Sequence, residues 1–100
     1  MDKVHEKKIL IQIVGVLEAI SNETITITEG EKYIFSPRMV KKLTDERCDV
    51  RIVNIVEEGC ELEDIESIVP KKLKETLFSL KEKTLEILKS YETIENTNWT

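Results

Sequence analysis

The side chains able to do acid, base or nucleophilic chemistry are few in type and uneven in place. One histidine, His5, lies in a charged stretch at residues 1–8, where an imidazole is solvated rather than poised against a substrate. Two cysteines, Cys48 and Cys60, form neither a CxxC pair nor a metal-ligand spacing. Their neighbours are acids, which raise a thiol pKa and blunt its nucleophilicity. Two reduced, half-buried thiols are the expectation. There is no Gly-rich phosphate loop, no HExxH and no GxSxG. What remains is carboxylate. Acid–base work by carboxylates alone needs a dry cleft that drives two pKa values apart, and nothing in the spacing points to one. The expectation is a chain without catalytic residues, resident metal or cofactor.

The carboxylates are concentrated. Residues 45–66 hold nine acids against Arg47 and Arg51, a local net of −7. Residues 71–89 hold six lysines and three glutamates, a local net of +3. Six of the ten residues from 57 to 66 are acidic. Three readings compete for this run. It is a solvated face partly paired to the lysines downstream, or a docking surface for a basic protein, or a divalent-cation site. The alternating ligand loop of an EF-hand is absent, which argues against the third. A concentrated patch of one sign speeds association and rejects wrong partners. On that reading Glu57, Glu58, Glu61, Glu63 and Glu66 are the partner-binding candidates. Asp64 flanks the apolar positions Leu62 and Ile65 and is expected to cap or brace a neighbouring helix.

Nucleic acid is disfavoured as a partner. Two short helices joined through Arg47-Cys48-Asp49 suit a helix-turn-helix in outline. The second of them offers Arg51 and Asn54 but then Glu57 and Glu58, which repel phosphate. The lysines at 71–89 are interleaved with Glu75, Glu82 and Glu86 and lack an aromatic stacking platform.

These side chains must be carried by helices. At 100 residues, with 40% apolar and 35% charged residues and a net charge of −5, the chain suits one domain around one core. Three Gly and two Pro argue against an all-β fold. No apolar run reaches membrane-spanning length, and the apolar stretch at 9–17 lacks a cleavage site, so it reads as a core helix rather than a signal peptide. Residues 3–20 form a helix capped by Asp2, with Ile9, Ile13, Val16 and Ile20 on one face and Leu10, Val14 and Leu17 widening it. So broad a stripe places it centrally, with Gly15 where another helix approaches closely.

Residues 24–35 are ambiguous. Thr24 to Thr28 alternate like a strand, with Glu29-Gly30 as a hairpin turn. Alternatively, Thr28 and Glu31 form a capping box opening a short helix. Ser36-Pro37 starts a helix to about residue 46, burying Met39, Val40 and Leu43. Asp49 caps the next, whose Ile52, Val53, Ile55 and Val56 face inward, and Gly59 ends it as a left-handed residue. A short acidic turn or helix over 61–68 follows, with Leu62, Ile65, Ile68 and Val69 inward. Pro70 opens the last helix, about 71–91, with Leu73, Leu77, Leu80, Thr84, Leu88 and Tyr91 on one face. Structural roles therefore fall to Asp64, Ser36, Pro37, Gly59 and Pro70.

The segments Tyr33-Ile34-Phe35-Ser36-Pro37 and Gly59-Cys60-Glu61-Leu62-Glu63-Asp64-Ile65-Glu66-Ser67-Ile68-Val69-Pro70 resemble a small uncharacterised family. Its members are helical proteins of about this length, mainly from Gram-positive bacteria, with Phe-Ser-Pro and Gly-x-Glu-Leu-Glu-Asp-Ile motifs. The resemblance covers about residues 9–90, implies helix rather than hairpin near 28–35, and carries no activity. The expected architecture is all-α: a bundle of four to five helices over 1–91, the first and last forming the long antiparallel pair, with a short hairpin at 24–35 as the remaining alternative. A polar tail follows at 92–100, with Trp99 either on the surface or anchoring a partner. The functional expectation is a cytoplasmic, non-catalytic protein-binding protein of immunity or antitoxin type that masks a basic partner. The alternatives are a carboxylate-based metal-dependent enzyme or regulator and a structural homo-oligomer built on leftover apolar surface of the first helix.

Overall fold

A computed structural model describes residues 1–93. The tail from residue 94, Trp99 included, lies outside the described residues. Six α-helices follow one another: α1 (Lys3–Ser21), α2 (Ile27–Tyr33), α3 (Pro37–Asp45), α4 (Val50–Gly59), α5 (Leu62–Ile68) and α6 (Leu73–Lys89), with a 3-10 turn (Pro70–Lys72) leading into α6. There is no strand among the described residues. The fold is an all-α bundle, with α2 and α5 as two-turn helices.

The wide apolar stripe of α1 is used on several sides. Leu10, Ile13 and Leu17 are fully enclosed, and α1 packs along α6 and against α2 and α4. The α1–α6 pair is antiparallel. Lys7 Nζ donates to the Glu92 carbonyl at one end (2.8 Å), and Lys81 pairs with Glu18 near the other (3.1 Å). Each enclosed aliphatic side chain contributes about 1.5–3 kcal/mol. These burials, rather than helix propensity, hold the two-turn helices, which would not persist alone.

The alternation at 24–28 resolves into caps. The Thr24 hydroxyl and N–H both donate to the Ala19 carbonyl, closing α1. Thr26 Oγ1 accepts the Glu29 N–H at 3.0 Å, opening α2. Thr26, not Thr28, is therefore the N-cap, and Glu29 occupies the third helical position. Glu29-Gly30 lies inside α2 and makes no hairpin turn. The close helix approach expected at Gly15 occurs at Gly30. Gly15 is exposed, whereas a Cβ on Gly30 would stand 2.8 Å from Ile20 Cδ1.

Ser36 and Asp49 cap as their residue types require, Ser36 Oγ accepting from the Met39 N–H (3.1 Å) and Asp49 from the Arg51 N–H (2.9 Å), with Pro37 in the first turn of α3. The left-handed residues fall elsewhere than Gly59. They are Glu23 (φ 59°) and Arg47 (φ 57°), each following a helix whose last carbonyls accept the crossed bonds of a Schellman ending. Gly59 is instead the last residue of α4, where an added Cβ would overlap the ring of buried Phe35. Its small size serves packing, not backbone handedness. Pro70 opens the 3-10 turn, so α6 starts at Leu73. Ile68 and Val69, expected inward, are 75% and 44% exposed. Only Leu62 anchors α5 fully, since the helix lies on the bundle by one edge.

Candidate functional site

Two carboxylate-bearing regions stand out, one expected and one not. The expected one is the acidic face. Glu57 and Glu58 close α4, Glu61 sits at the start of α5 without a side-chain cap bond, and Glu63, Asp64 and Glu66 ride on α5. All six are exposed. Glu58 pairs with Lys83 on α6 at 3.3 Å. The other five have no ion pair with a cationic side chain among the described residues. Asp64 is exposed in the first turn of α5, where a negative charge suits the helix N-terminus. Its carboxylate makes no hydrogen bond to a neighbouring helix among the described contacts.

Folding brings a further acid to this face. Glu31, on α2, meets Glu63 within hydrogen-bonding reach. The Glu63 carboxylate within hydrogen-bonding reach raises the Glu31 carboxyl above its ordinary range, and the charges of Glu63 and Asp64 add to that. Behind the face, burial pushes the Cys60 thiol up, helped by Glu31, Glu57 and Glu61. The thiol is thus held neutral. Cys48 is likewise pushed up to about 11, by burial first and then by Glu6 and Asp49. Both cysteines are unbridged.

The unexpected region joins α1, α4 and the end of α6. Glu6 is only 4% exposed. Its carboxylate accepts the Asp49 N–H at 2.7 Å and the Tyr91 hydroxyl at 3.0 Å, with Lys3 Nζ 4.0 Å away. Asp49 takes Nε and Nη2 of Arg51 at 3.1 and 2.7 Å and lies 3.2 Å from the Tyr91 hydroxyl. The Arg51 guanidinium holds the Asp49 carboxyl down at about 2. Burial, reinforced by Glu6, pushes the Tyr91 phenol well above its ordinary value, so it stays a proton donor. Beside this network a cavity of about 560 Å³ is lined by Lys3, Lys7, Arg51, Ser90 and Tyr91. Glu92 also lines it, so three cations meet three carboxylates, Glu6 and Asp49 beneath and Glu92 on the wall, which leaves little net field. The hydrogen bonds of Glu6 and Asp49 tie α1, α4 and the end of α6 together.

Sequence reasoning assigned Asp49 as a cap and Tyr91 as the end of the α6 stripe, but not their meeting. Glu6 carried a signal of its own. Positions 6, 10, 13, 17 and 20 share one face of α1, and an acid on a stripe otherwise made of Leu and Ile needs buried donors. His5 is solvated as expected, its Nδ1 2.9 Å from Asp2. Among the described residues no group of three or more His, Cys, Asp or Glu side chains could hold a metal ion. Nor is any helix there long and apolar enough to cross a membrane.

Fold and site together define an all-α protein, with six α-helices among the described residues and an acidic face on the two short ones. The chain belongs to the family described as Protein of unknown function (DUF3969), which matches residues 2–100. No curated protein and no solved structure matches it.

Proposed function

We propose that this is a non-catalytic protein-binding protein whose acidic face, formed by α2, α5 and the end of α4, covers a basic partner. One observation carries the reading: only one of its five candidate glutamates, Glu58, is paired to a lysine of α6. A merely solvated face would use the nearby cations. Here Lys72, beside Glu58 and Glu61, and Lys74, beside Glu66, stand exposed without an ion pair to them. Charges left in water at the surface cost the fold little and remain free to steer a cationic partner. The Cys60 thiol behind the face is held neutral, which favours binding over covalent chemistry. An immunity or antitoxin-type protein in the cytoplasm of a Gram-positive bacterium fits this description, since many toxic enzymes that act on nucleic acid are basic.

The test compares wild type with the Glu63→Gln/Glu66→Gln double variant in affinity capture from the native host. A basic protein held by wild type, released by the variant, and associating more slowly with it at low salt is the expected result. The melting temperature should not move. Identical capture and identical association rates would reduce the acidic run to a solvated face.

A further inference from the structure

Next to the acidic face lies a groove of about 420 Å³, between the α1–α2 connection and the junction of α5 with α6. Its floor is aliphatic, made by Ile20, Ile25, Ile27, Leu73 and Leu77. Ile25 and Leu73 are only half-buried, so part of their apolar surface is open to water at this place. Glu66, a member of the acidic face, stands on the rim with Glu23 opposite, and Lys74 is the cation there. Thus the patch and the groove share a residue. A slot with an aliphatic floor and a polar wall of Ser21, Thr26, Thr28 and Glu66 differs from a solvated acidic surface: it has room for a side chain as well as a charge.

Resting on the binding function proposed above, we propose that this groove receives an aliphatic side chain from a basic segment of the partner protein, whose cationic side chains lie on Glu66, Glu63 and Glu31. Charge selects this occupant. A second copy of the chain paired through this face by two-fold symmetry would set acidic face against acidic face. An acidic segment would meet the same repulsion. A cationic segment gains on both counts, since charge draws it in and the aliphatic floor slows its departure.

Three fluorescein-labelled peptides test this on the full chain by fluorescence anisotropy, with methyl NMR to locate contacts. One alternates Lys with Leu at helical spacing. The second has Ser in place of Leu. The third has Glu in place of Lys. The Lys/Leu peptide should bind about tenfold or more tighter than Lys/Ser, the gain expected from burying one leucine side chain. Methyl shifts should centre on Ile25, Ile27, Leu73 and Leu77. Thr28→Trp, an exposed position on the rim, should remove that advantage while leaving Lys/Ser binding and the melting temperature unchanged. Lys74→Glu should tighten both cationic peptides.

Equal binding of the Lys/Leu and Lys/Ser peptides, with Glu63→Gln/Glu66→Gln weakening both, overturns the groove and leaves the acidic-face function standing. Failure of both cationic peptides to bind overturns the groove and the acidic-face function together. Preference for the Glu/Leu peptide, or weaker cationic binding by Lys74→Glu, overturns the stated partner chemistry. Groove shifts that follow protein concentration without peptide assign the site to a second copy. Contacts from residues 94–100 in the free protein assign it to the chain's own tail. Either result rejects the proposal.

Discussion

Two groups of carboxylates sit at opposite ends of the α1–α6 pair and are treated in opposite ways. At one end Glu6 and Asp49 are withdrawn from water, and the fold supplies each with donors: a backbone N–H, a phenol and a guanidinium. At the other end Glu31, Glu63 and Asp64 lie near one another and Glu66 stands beside them on α5. The three on α5 are exposed, Glu31 is half-buried, and none of the four makes an ion pair among the described residues. Solvation decides the difference. A buried carboxylate without partners costs several kcal/mol, so it must be locked. A hydrated one costs little even beside its like, so it can be left for a partner. One region is built to hold the helices, the other to present charge.

Removing a locked carboxylate should have the largest effect. Glu6→Ala strands the Asp49 N–H, leaves the Tyr91 hydroxyl only its longer contact with Asp49, and opens a void between α1, α4 and α6. A loss of ~3 kcal/mol is expected in urea unfolding, with a fall of more than ~10 °C in melting temperature. A variant as stable as wild type would erase the distinction between the two regions.

Asp49→Asn should come next, with a pH signature. The Asp49 carboxyl lies near 2 in the folded chain against 3.8 ordinarily. A depressed carboxyl stabilises the fold above 3.8, and that contribution fades as pH falls through 2. The gap between wild type and Asp49→Asn, ~2 kcal/mol at neutral pH, should therefore close as the buffer is taken from pH 5 toward 2. A gap of the same size at every pH would show that the loss is not carried by the Asp49 charge, and no gap would show that the amide keeps the network intact.

Tyr91→Phe removes one donor and leaves the ring. It should cost ~1 kcal/mol by urea titration, and no change would mean that water replaces the hydroxyl.

The smallest effect has the opposite sign. The Glu31 carboxyl is raised by Glu63, so the folded state holds that proton more tightly than the unfolded chain does. Its contribution to stability is full below 4.5 and is lost as pH rises through the raised value. Glu31→Gln should therefore raise the melting temperature by about a degree at pH 7 and leave it unchanged well below 4.5. Paired melts at the two pH values decide it. Destabilisation at pH 7 would place Glu31 among the locked carboxylates.

How far these elements were legible follows from the reach of the signals that set them. Ser36-Pro37 and Asp49 were readable as starts because a cap is satisfied two or three residues away. The long faces of α1 and α6 were readable because their period repeats over several turns. The 24–28 alternation misled because threonine serves strands and caps alike, and the cap register fell at Thr26. Gly15 and Gly59 misled for another reason. A glycine shows that room is needed, but not whether a helix, a ring or a turn needs it, and Phe35 claims the room at Gly59. Ile68 and Val69 fit an inward pattern on paper and point outward because α5 touches the bundle along one narrow edge.

The acidic run was visible as a run, but Glu31 joins it only when α2 packs against α5. By itself the sequence determined that the chain is helical, where most helices begin, and that residues 57–66 are rich in acid. Those properties arise between residues a few positions apart. Which acids are locked and which are left free was decided by the tertiary structure alone. Whether a charge is tolerated depends on its distance in space from donors and water, and the hydroxyl that secures Glu6 comes from a residue 85 positions away.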